Sequence, residues 1–201
     1  IFGLLVVAVG VALGSTFSLA QLDREVRQLG QYRIQGKIDE GGMATVHHAV
    51  HALLKRPTAV KILKPALATE ELIERFEREV TLASRLQHPA TVEIFDYGRT
   101  RDGTFYYAME YIDGINLAQL VEKDGAQSAP RVAHILKQVC ESLREAHSKG
   151  LVHRDIKPAN IMILPSGDPK IMDFGIAKIE TERLTATGQF IGTPLYMSPE
   201  Q

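Results

Sequence analysis

Residues 151–175, LVHRDIKPANIMILPSGDPKIMDFG, decide the fold of this chain. Two short apolar runs, at 160–164 and 170–172, stand on either side of a Pro-Ser-Gly-Asp-Pro turn, and this pattern predicts a β-hairpin. His153-Arg154-Asp155 precedes the hairpin and Asp173-Phe174-Gly175 follows it, so the hairpin would fold two acidic loops side by side. The polar side chains expected around one pocket are those of Asp155, Lys157, Asn160 and Asp173. Such a set suits a divalent metal ion and a polyphosphate.

The spacing of these residues carries a resemblance to a known family. H-R-D-x-K-x-x-N followed by D-F-G resembles the catalytic core of the eukaryotic-type (Hanks-type) protein kinases, and the lysine two residues after Asp155 resembles their serine/threonine branch. Residues 190–201, FIGTPLYMSPEQ, are similar to the I-G-T-x-x-Y-x-S-P-E-Q segment of the bacterial serine/threonine kinases. The alternative is an acidic turn beside a hairpin, without chemistry.

The resemblance implies an α+β fold, the bilobal protein-kinase fold. Its N-lobe, at 32–112, would be an antiparallel β-sheet with helix C, and its C-lobe, at 113–201, would be mostly helical and incomplete. Strands are predicted over 32–38, 45–51, 57–63, 92–97 and 104–111, and a helix over 70–86. The chain stops at Gln201, directly after Ser198-Pro199-Glu200, where the activation segment of such kinases ends, so we expect a truncated C-lobe.

The composition restricts the possible partners and the compartment. The 201 residues leave room for one or two domains, and a formal net charge of −1 favours no nucleic-acid partner. The single cysteine, Cys140, excludes a disulfide framework within the chain and fits a reducing compartment. Cys140 lies in the apolar stripe of a helix predicted over 131–148, which predicts a buried core thiol.

The first 22 residues are apolar and uncharged. About 20 such residues span a bilayer as a helix, so residues 1–22 predict a single transmembrane anchor, already shortened at Ile1. A signal-peptide core and a buried helix are the alternatives. A charged juxtamembrane segment follows at 23–31, predicted to be helical up to Gly30. The cations after the span are Arg24, Arg27, Arg33 and Lys37, and they favour a cytoplasmic kinase domain on the cell (inner) membrane.

The nucleotide would lie under a turn at 40–44. This turn resembles the kinase loop G-x-G-x-x-G-x-V, whose motif positions are occupied here by Asp39, Gly41, Ala44 and Val46. Only one of the three motif glycines is present, and an ordinary hairpin turn is the alternative. The residues that the resemblance implies for binding ATP are Ile38, Gly41, Gly42, Val46, Ala59, Lys61, Met109, Glu110, Ile112, Asn160 and Asp173. Among them, Met109 would be the gatekeeper.

Lys61 and Glu79 are predicted to form an ion pair. Lys61 lies in the apolar strand TAVKIL and resembles the lysine that holds the α- and β-phosphates. Glu79 lies on the apolar stripe of the helix predicted over 70–86, between Phe76 and Ala83. A carboxylate that faces the core needs a cation, and we expect Lys61 to supply it.

The resemblance also implies a role for each catalytic residue. The reaction would be transfer of the γ-phosphoryl group of ATP to serine or threonine hydroxyls of protein substrates. Asp155 would accept the hydroxyl proton, Lys157 would steady the γ-phosphate, and Asn160 and Asp173 would hold Mg²⁺. The implied catalytic set is Asp155, Lys157, Lys61 and Glu79.

Four further residues are implied in regulation. A phosphate on Thr185 or Thr187 would pair with Arg154, while Thr193 would line the acceptor site and support Asp155. Autophosphorylation in trans would involve a homodimer. Two other readings stay open. One is a membrane-anchored pseudokinase that serves as a binding module, which the poor glycine loop motivates. The other is a small-molecule phosphotransferase of related fold.

Overall fold

The structure, a computed structural model, describes residues 28–42, 44–64, 69–100, 102–174 and Tyr196. The larger sheet within these ranges has strands β1 Gln28–Leu29, β2 Tyr32–Glu40, β3 Ala44–His51, β4 Pro57–Leu63, β5 Ile94–Arg99 and β6 Phe105–Glu110. The strand order is β1-β2-β3-β4-β6-β5, and every neighbouring pair is antiparallel. The predicted antiparallel N-lobe sheet is therefore confirmed.

Strand β1 corrects the last residues of the helix that was predicted to end at Gly30, while residues 23–27 of that prediction lie outside the described residues. Leu29 pairs with Tyr32 across a tight turn, and Leu29 packs against the small core on that face of the sheet. Gly30 adopts φ +56°, and a side chain there would overlap the Tyr106 hydroxyl. Strand pairing and apolar burial outweigh the local helical pattern at Gln28 and Leu29 because they bury surface that an isolated helix would expose.

The predicted membrane span at 1–22 lies outside the described residues. Among the residues that are described, no helix combines the length and the apolar character needed to cross a bilayer.

Helix α1, Glu70–Ala83, packs against the larger sheet. Its N-cap residue Thr69 accepts a hydrogen bond from the Leu72 backbone nitrogen at 3.4 Å, which satisfies one free donor of the first turn. The apolar stripe expected from the sequence is buried, and Phe76 and Val80 join a core with Phe105 of β6. Each such side chain contributes about 1.5–3 kcal/mol when it is fully buried. This core fixes the position of α1 beside the sheet.

The C-lobe part of the structure is built from two helices and a small sheet. Helix α2 is Leu117–Asp124 and helix α3 is Ala129–Ser148. The sheet joins β7 Ile115–Asn116, β8 Ile161–Ile163 and β9 Pro169–Ile171 in the order β7-β8-β9. The predicted hairpin is therefore confirmed, with Ile161 opposite Ile171. Strand β7 was not predicted, and it requires Gly114 because a Cβ there would overlap the Ile163 carbonyl oxygen.

Cys140 corrects the prediction of a buried thiol, since its side chain is exposed. Helix α3 buries Ile135, Val139 and Ala146 against the rest of the lobe. Cys140 follows Val139 directly, so it lies about 100° further round the helix. The apolar spacing predicted a wide buried face of α3, but the described part of the chain covers only part of it. Leu136, on the uncovered part, is 51% exposed as well.

Two kinds of contact hold the sheets in a fixed relation. The Val92 backbone nitrogen donates to the Ile171 carbonyl at 3.0 Å, so the loop before β5 is bonded to β9. Beside it, Lys170 Nζ of β9 lies 2.6 Å from Glu110 Oε2 at the end of β6, and both side chains are largely buried. The cleft between the two sheets is therefore bounded by hydrogen-bonded backbone and by an ion pair.

Candidate active site

A cavity of roughly 350 Å³ lies between the two sheets. Its polar lining includes all four side chains that were expected around one pocket, Asp155, Lys157, Asn160 and Asp173. The other predicted residues that line it are Gly41, Gly42, Val46 and Lys61. Asp39 and Ala44, which the resemblance placed at the first and third glycine positions of the loop, line it as well. Sequence reasoning missed Phe76, Asn116 and Met172 on the wall of this cavity. The hairpin, the β2–β3 turn and strand β4 therefore converge on one site.

Several predicted nucleotide contacts lie beside the cavity rather than on its wall. Ala59 pairs with Met109 across β4 and β6, and both are buried in the core that also contains Val46 and Met172. Ile112 packs against the same core. The Glu110 side chain is engaged by Lys170. Ile38 lies at a β-bulge of β2 and is 50% exposed.

The Asp155 carboxylate is held by two neighbours on its own loop. Its Oδ2 atom accepts hydrogen bonds from Lys157 Nζ at 2.8 Å and from Asn160 Nδ2 at 2.8 Å. The same Asn160 nitrogen also donates to the Asp155 backbone carbonyl at 2.8 Å. The amide nitrogen of Asn160 is thus occupied, and its carbonyl oxygen is the atom suited to a metal ion.

His153 joins the two acidic loops, a role that sequence reasoning missed. Its ring is 1% exposed, and Nδ1 accepts from the Asp155 backbone nitrogen at 3.3 Å. Nε2 must therefore carry the proton, and it donates to the Met172 carbonyl at 2.8 Å. The ring also packs on Phe174, with centroids 4.8 Å apart. The signal available in the sequence was its place two residues before Asp155.

Burial lowers the pKa of His153 below its ordinary value of 6.5 because the charged ring would lose its hydration. Below about pH 6.5 the unfolded chain takes up a proton that the folded ring resists, so stability falls as the pH falls, with a slope of up to about 1.4 kcal/mol per pH unit. Urea unfolding between about pH 5 and pH 8 measures this slope. We expect His153→Gln to flatten it and His147→Gln, on the exposed face of α3, to keep it. Burial also lowers the pKa of His47, so part of the slope should remain. A slope no smaller in His153→Gln than in His147→Gln would contradict the assignment.

The Asp173 carboxylate is bound by one cation and one hydroxyl. Lys61 Nζ lies 2.7 Å from Oδ1, and the Tyr107 hydroxyl donates to the same atom at 3.2 Å. Burial opposes ionisation of this carboxyl, but the positive charge of Lys61 and these hydrogen bonds outweigh it and hold the pKa of Asp173 below its usual value. Asp173 is therefore an anion that faces the cavity.

Two backbone positions in the acidic loops are strained. Arg154 has φ +67° and Asp173 has φ +59°, in the left-handed region that side chains rarely adopt. Such conformations cost of order 1–3 kcal/mol each and concentrate at functional sites. Both aim an acidic loop into the cleft.

The ion pair predicted between Lys61 and Glu79 stays a prediction. Glu79 does face the interior, since its Oε2 atom is buried. Within the described residues, Lys61 forms an ion pair with Asp173. The apolar stripe predicts the face of α1 on which Glu79 lies. The distance from α1 to β4 depends on packing and cannot be read from the sequence.

The described residues on either side of Met43 in the β2–β3 turn line the cavity and are joined by a backbone hydrogen bond. The Gly41 backbone nitrogen donates to the Ala44 carbonyl at 2.9 Å. Glu40 is pinned by Lys37 and Lys64, at 2.7 and 2.9 Å, and the hydrogen bond from Lys37 leads the effects that lower the pKa of Glu40 to about 2. Asp39, at the first motif position, lines the cavity.

The donor set fits a divalent metal ion and a nucleotide. Carboxylate and amide oxygens from Asp173 and Asn160 share one cavity, and these are the ligands that Mg²⁺ prefers. Lys61 and Lys157 supply two cations for phosphate oxygens on the same walls. Three predicted regulatory residues, Thr185, Thr187 and Thr193, lie outside the described residues, whereas Arg154 lies on the exposed side of its loop.

Comparisons with known proteins agree with this site. Residues 32–201 match the sequence model of the family described as "Protein kinase domain". The serine/threonine-protein kinase pkn3 of Myxococcus xanthus is 41% identical over 85% of this chain and 33% of its own length, and a probable serine/threonine-protein kinase PknB of Corynebacterium glutamicum is 43% identical over 85% of this chain and 28% of its own. The chain thus spans about a third of the length of these curated relatives.

A solved structure shares the fold. "PpkA-294 apo form" superposes with a TM-score of 0.75 at 25% identity, over 87% of this chain and 69% of that one. The bilobal architecture expected from the sequence is therefore confirmed, with an antiparallel β N-lobe and a helical C-lobe. On the family match, the relatives and the geometry of the cleft, this chain belongs to the protein kinase family, and its relatives are bacterial serine/threonine kinases.

Proposed function

We propose that the protein is a serine/threonine protein kinase that transfers the γ-phosphoryl group of ATP to hydroxyl groups of protein substrates. One observation carries the proposal: a single cavity brings Asp155 together with Asn160 and Asp173 and with the cation of Lys61. A proton acceptor, a metal site and a phosphate-binding cation are the parts that phosphoryl transfer requires.

The mechanism follows from the position of each group. Asp155 lies where it can accept the proton of the acceptor hydroxyl as that oxygen bonds to the γ-phosphorus and the bond to the β-phosphate oxygen breaks. Lys157 lies 2.8 Å from Asp155 Oδ2 and lines the same cavity, where it would pair with the γ-phosphate. Asn160 and Asp173 would hold Mg²⁺, which supplies positive charge to the phosphate oxygens. Lys61, which lines the same cavity, would pair with the nucleotide phosphates.

The proposal is tested with γ-labelled ATP and Mg²⁺ in the full-length protein. We expect label on serine or threonine of an acceptor protein, or of the kinase itself, identified after acid hydrolysis. A protein that binds ATP without transferring the label would instead be a pseudokinase, the second candidate. The observation that favours this candidate is Asp39, an acidic residue at a glycine position of the loop that lines the cavity. Transfer to a small alcohol alone would indicate a small-molecule phosphotransferase.

The proposal extends to a membrane anchor. The uncharged apolar run at 1–22 and the cations after it support a single-pass helix in the cell (inner) membrane with the kinase domain in the cytoplasm. Separation of soluble and membrane fractions tests the anchor. Release of the kinase domain by high salt alone would contradict a transmembrane helix.

Regulation by autophosphorylation is the last part of the proposal. The threonines Thr185 and Thr187 are the proposed sites, Arg154 the proposed partner of the phosphate, and Thr193 the proposed support of the acceptor site. Phosphorylation in trans within a homodimer would make the initial rate rise with the square of the protein concentration. Mass spectrometry that finds no phosphate at either threonine after incubation with ATP would contradict it.

A further inference from the structure

Tyr107 is a buried residue that the proposed mechanism does not use. It lies on β6, opposite Lys61 of β4, and its side chain is 2% exposed. It faces the core that contains Phe76 and Met109, whereas its neighbour Tyr106 faces the other side of the sheet. At the inner end of this core, the Tyr107 hydroxyl lies 3.2 Å from Asp173 Oδ1.

Both polar contacts that the structure describes at the Asp173 carboxylate end on one oxygen. Lys61 Nζ and the Tyr107 hydroxyl donate to Oδ1, at 2.7 and 3.2 Å. Two donors on Oδ1 restrict the rotation of the carboxylate group. The second oxygen, Oδ2, then points away from both donors. A phenol hydroxyl is a hydrogen-bond donor and a carboxylate oxygen an acceptor, so Tyr107 donates to Asp173 Oδ1.

The two donors differ in what they do when a nucleotide is present. Lys61 carries its charge on a flexible four-carbon stem, and the phosphates of a nucleotide compete for that charge. Tyr107 has a rigid, uncharged ring that is packed within the core, so the phosphates do not attract it as they attract a cation. Its bond to Asp173 is therefore the one that persists.

We propose that Tyr107 is a positioning residue for the metal site, whose hydroxyl holds the Asp173 carboxylate in the rotation that presents Oδ2 to a divalent cation. This inference rests on the proposed function, since it assigns Asp173 to the metal. Tyr107 touches neither substrate nor metal and acts through Asp173.

The test measures binding of Mn²⁺, which electron paramagnetic resonance detects, in the full chain with a non-hydrolysable ATP analogue. We expect Tyr107→Phe to weaken Mn²⁺ binding about tenfold, the change that corresponds to one hydrogen bond to a charged group. Affinity for the analogue without metal should stay unchanged. Tyr106→Phe removes the same hydroxyl from the neighbouring residue on the other face of β6, and it should bind Mn²⁺ as the unmodified chain does.

The melting temperature of each variant is measured first, and all titrations are run below it. A loss of Mn²⁺ affinity then cannot result from unfolding. Unchanged Mn²⁺ affinity in Tyr107→Phe, with a lowered melting temperature or without one, would overturn the inference, since the hydroxyl would then serve stability alone. Equal losses in Tyr106→Phe and Tyr107→Phe would overturn it too. An unmodified chain that binds the analogue but no Mn²⁺ would overturn the proposed function, and this inference with it.

Discussion

Replacement of Asp155 by asparagine is expected to lower the rate of phosphoryl transfer by about 10²–10⁴-fold, the range that general acid–base catalysis contributes. Asparagine has nearly the shape of aspartate, so the bond from Asn160 Nδ2 to the Asp155 backbone carbonyl is retained. What is lost is the carboxylate that accepts the proton and pairs with Lys157. Rapid-quench measurement of the transfer step, with saturating ATP and acceptor, gives the rate.

Two further measurements separate this effect from misfolding. ATP affinity by calorimetry should change by no more than a few-fold, because the proposed partner of Asp155 is the acceptor hydroxyl and not the nucleotide. Asp124→Asn, at the exposed end of α2, is the matched control and should transfer phosphate normally. Equal transfer rates for Asp155→Asn and the unmodified protein would remove Asp155 from the mechanism and favour a phosphotransfer activity from a contaminating enzyme.

Replacement of Lys61 by methionine is expected to lower kcat/KM for ATP by about 10²–10³-fold, the cost of removing one preorganised donor from a developing charge. The same change leaves the Asp173 carboxylate, 27% exposed, without the cation that the structure places 2.7 Å away. We therefore also expect a loss of about 1–3 kcal/mol in the free energy of unfolding, measured in urea. Methionine keeps the length of the side chain, so the loss reports charge rather than packing.

The control for this change is Lys123→Met, in the last turn of α2 and exposed to solvent. It removes the same charge from the chain, and it should alter neither kcat/KM nor stability measurably. Retention of normal kcat/KM in Lys61→Met would show that the nucleotide is held by other groups. In that case the assignment of Lys61 from the strand TAVKIL would be wrong.

The hairpin and its flanking loops were predictable because all their parts lie close together in the sequence. Residues 151–175 contain both apolar runs, the turn between them and the acidic groups on either side, so spacing alone determines that Asp155 and Asp173 come together. The strands of the larger sheet were predictable for a similar reason, since short β-branched runs alternate with turns. The observed β4, Pro57–Leu63, has the predicted bounds.

The elements that were missed depend on distant partners. Strand β1 forms because Leu29 meets a core made by β2, β3, β4 and β6, and strand β7 forms because Ile115 meets Ile163 of the hairpin. Neither segment could be predicted from its own sequence, since a two-residue strand is too short to show a periodic pattern. The exposure of Cys140 is the same kind of result, because periodicity identifies a face of α3 but not what covers it.

The amino-acid sequence by itself determined which chemical groups this protein brings to the cleft: the carboxylates of Asp155 and Asp173, the amide of Asn160 and the ammonium groups of Lys61 and Lys157. Only the tertiary structure decided how they are paired. The ion pair of Lys61 with Asp173, the bridge made by His153 and the hydroxyl of Tyr107 all depend on distances between elements that lie far apart in the chain. Those distances are set by the packing of α1 and the hairpin against the larger sheet, and a hydrogen bond forms or fails over less than an ångström.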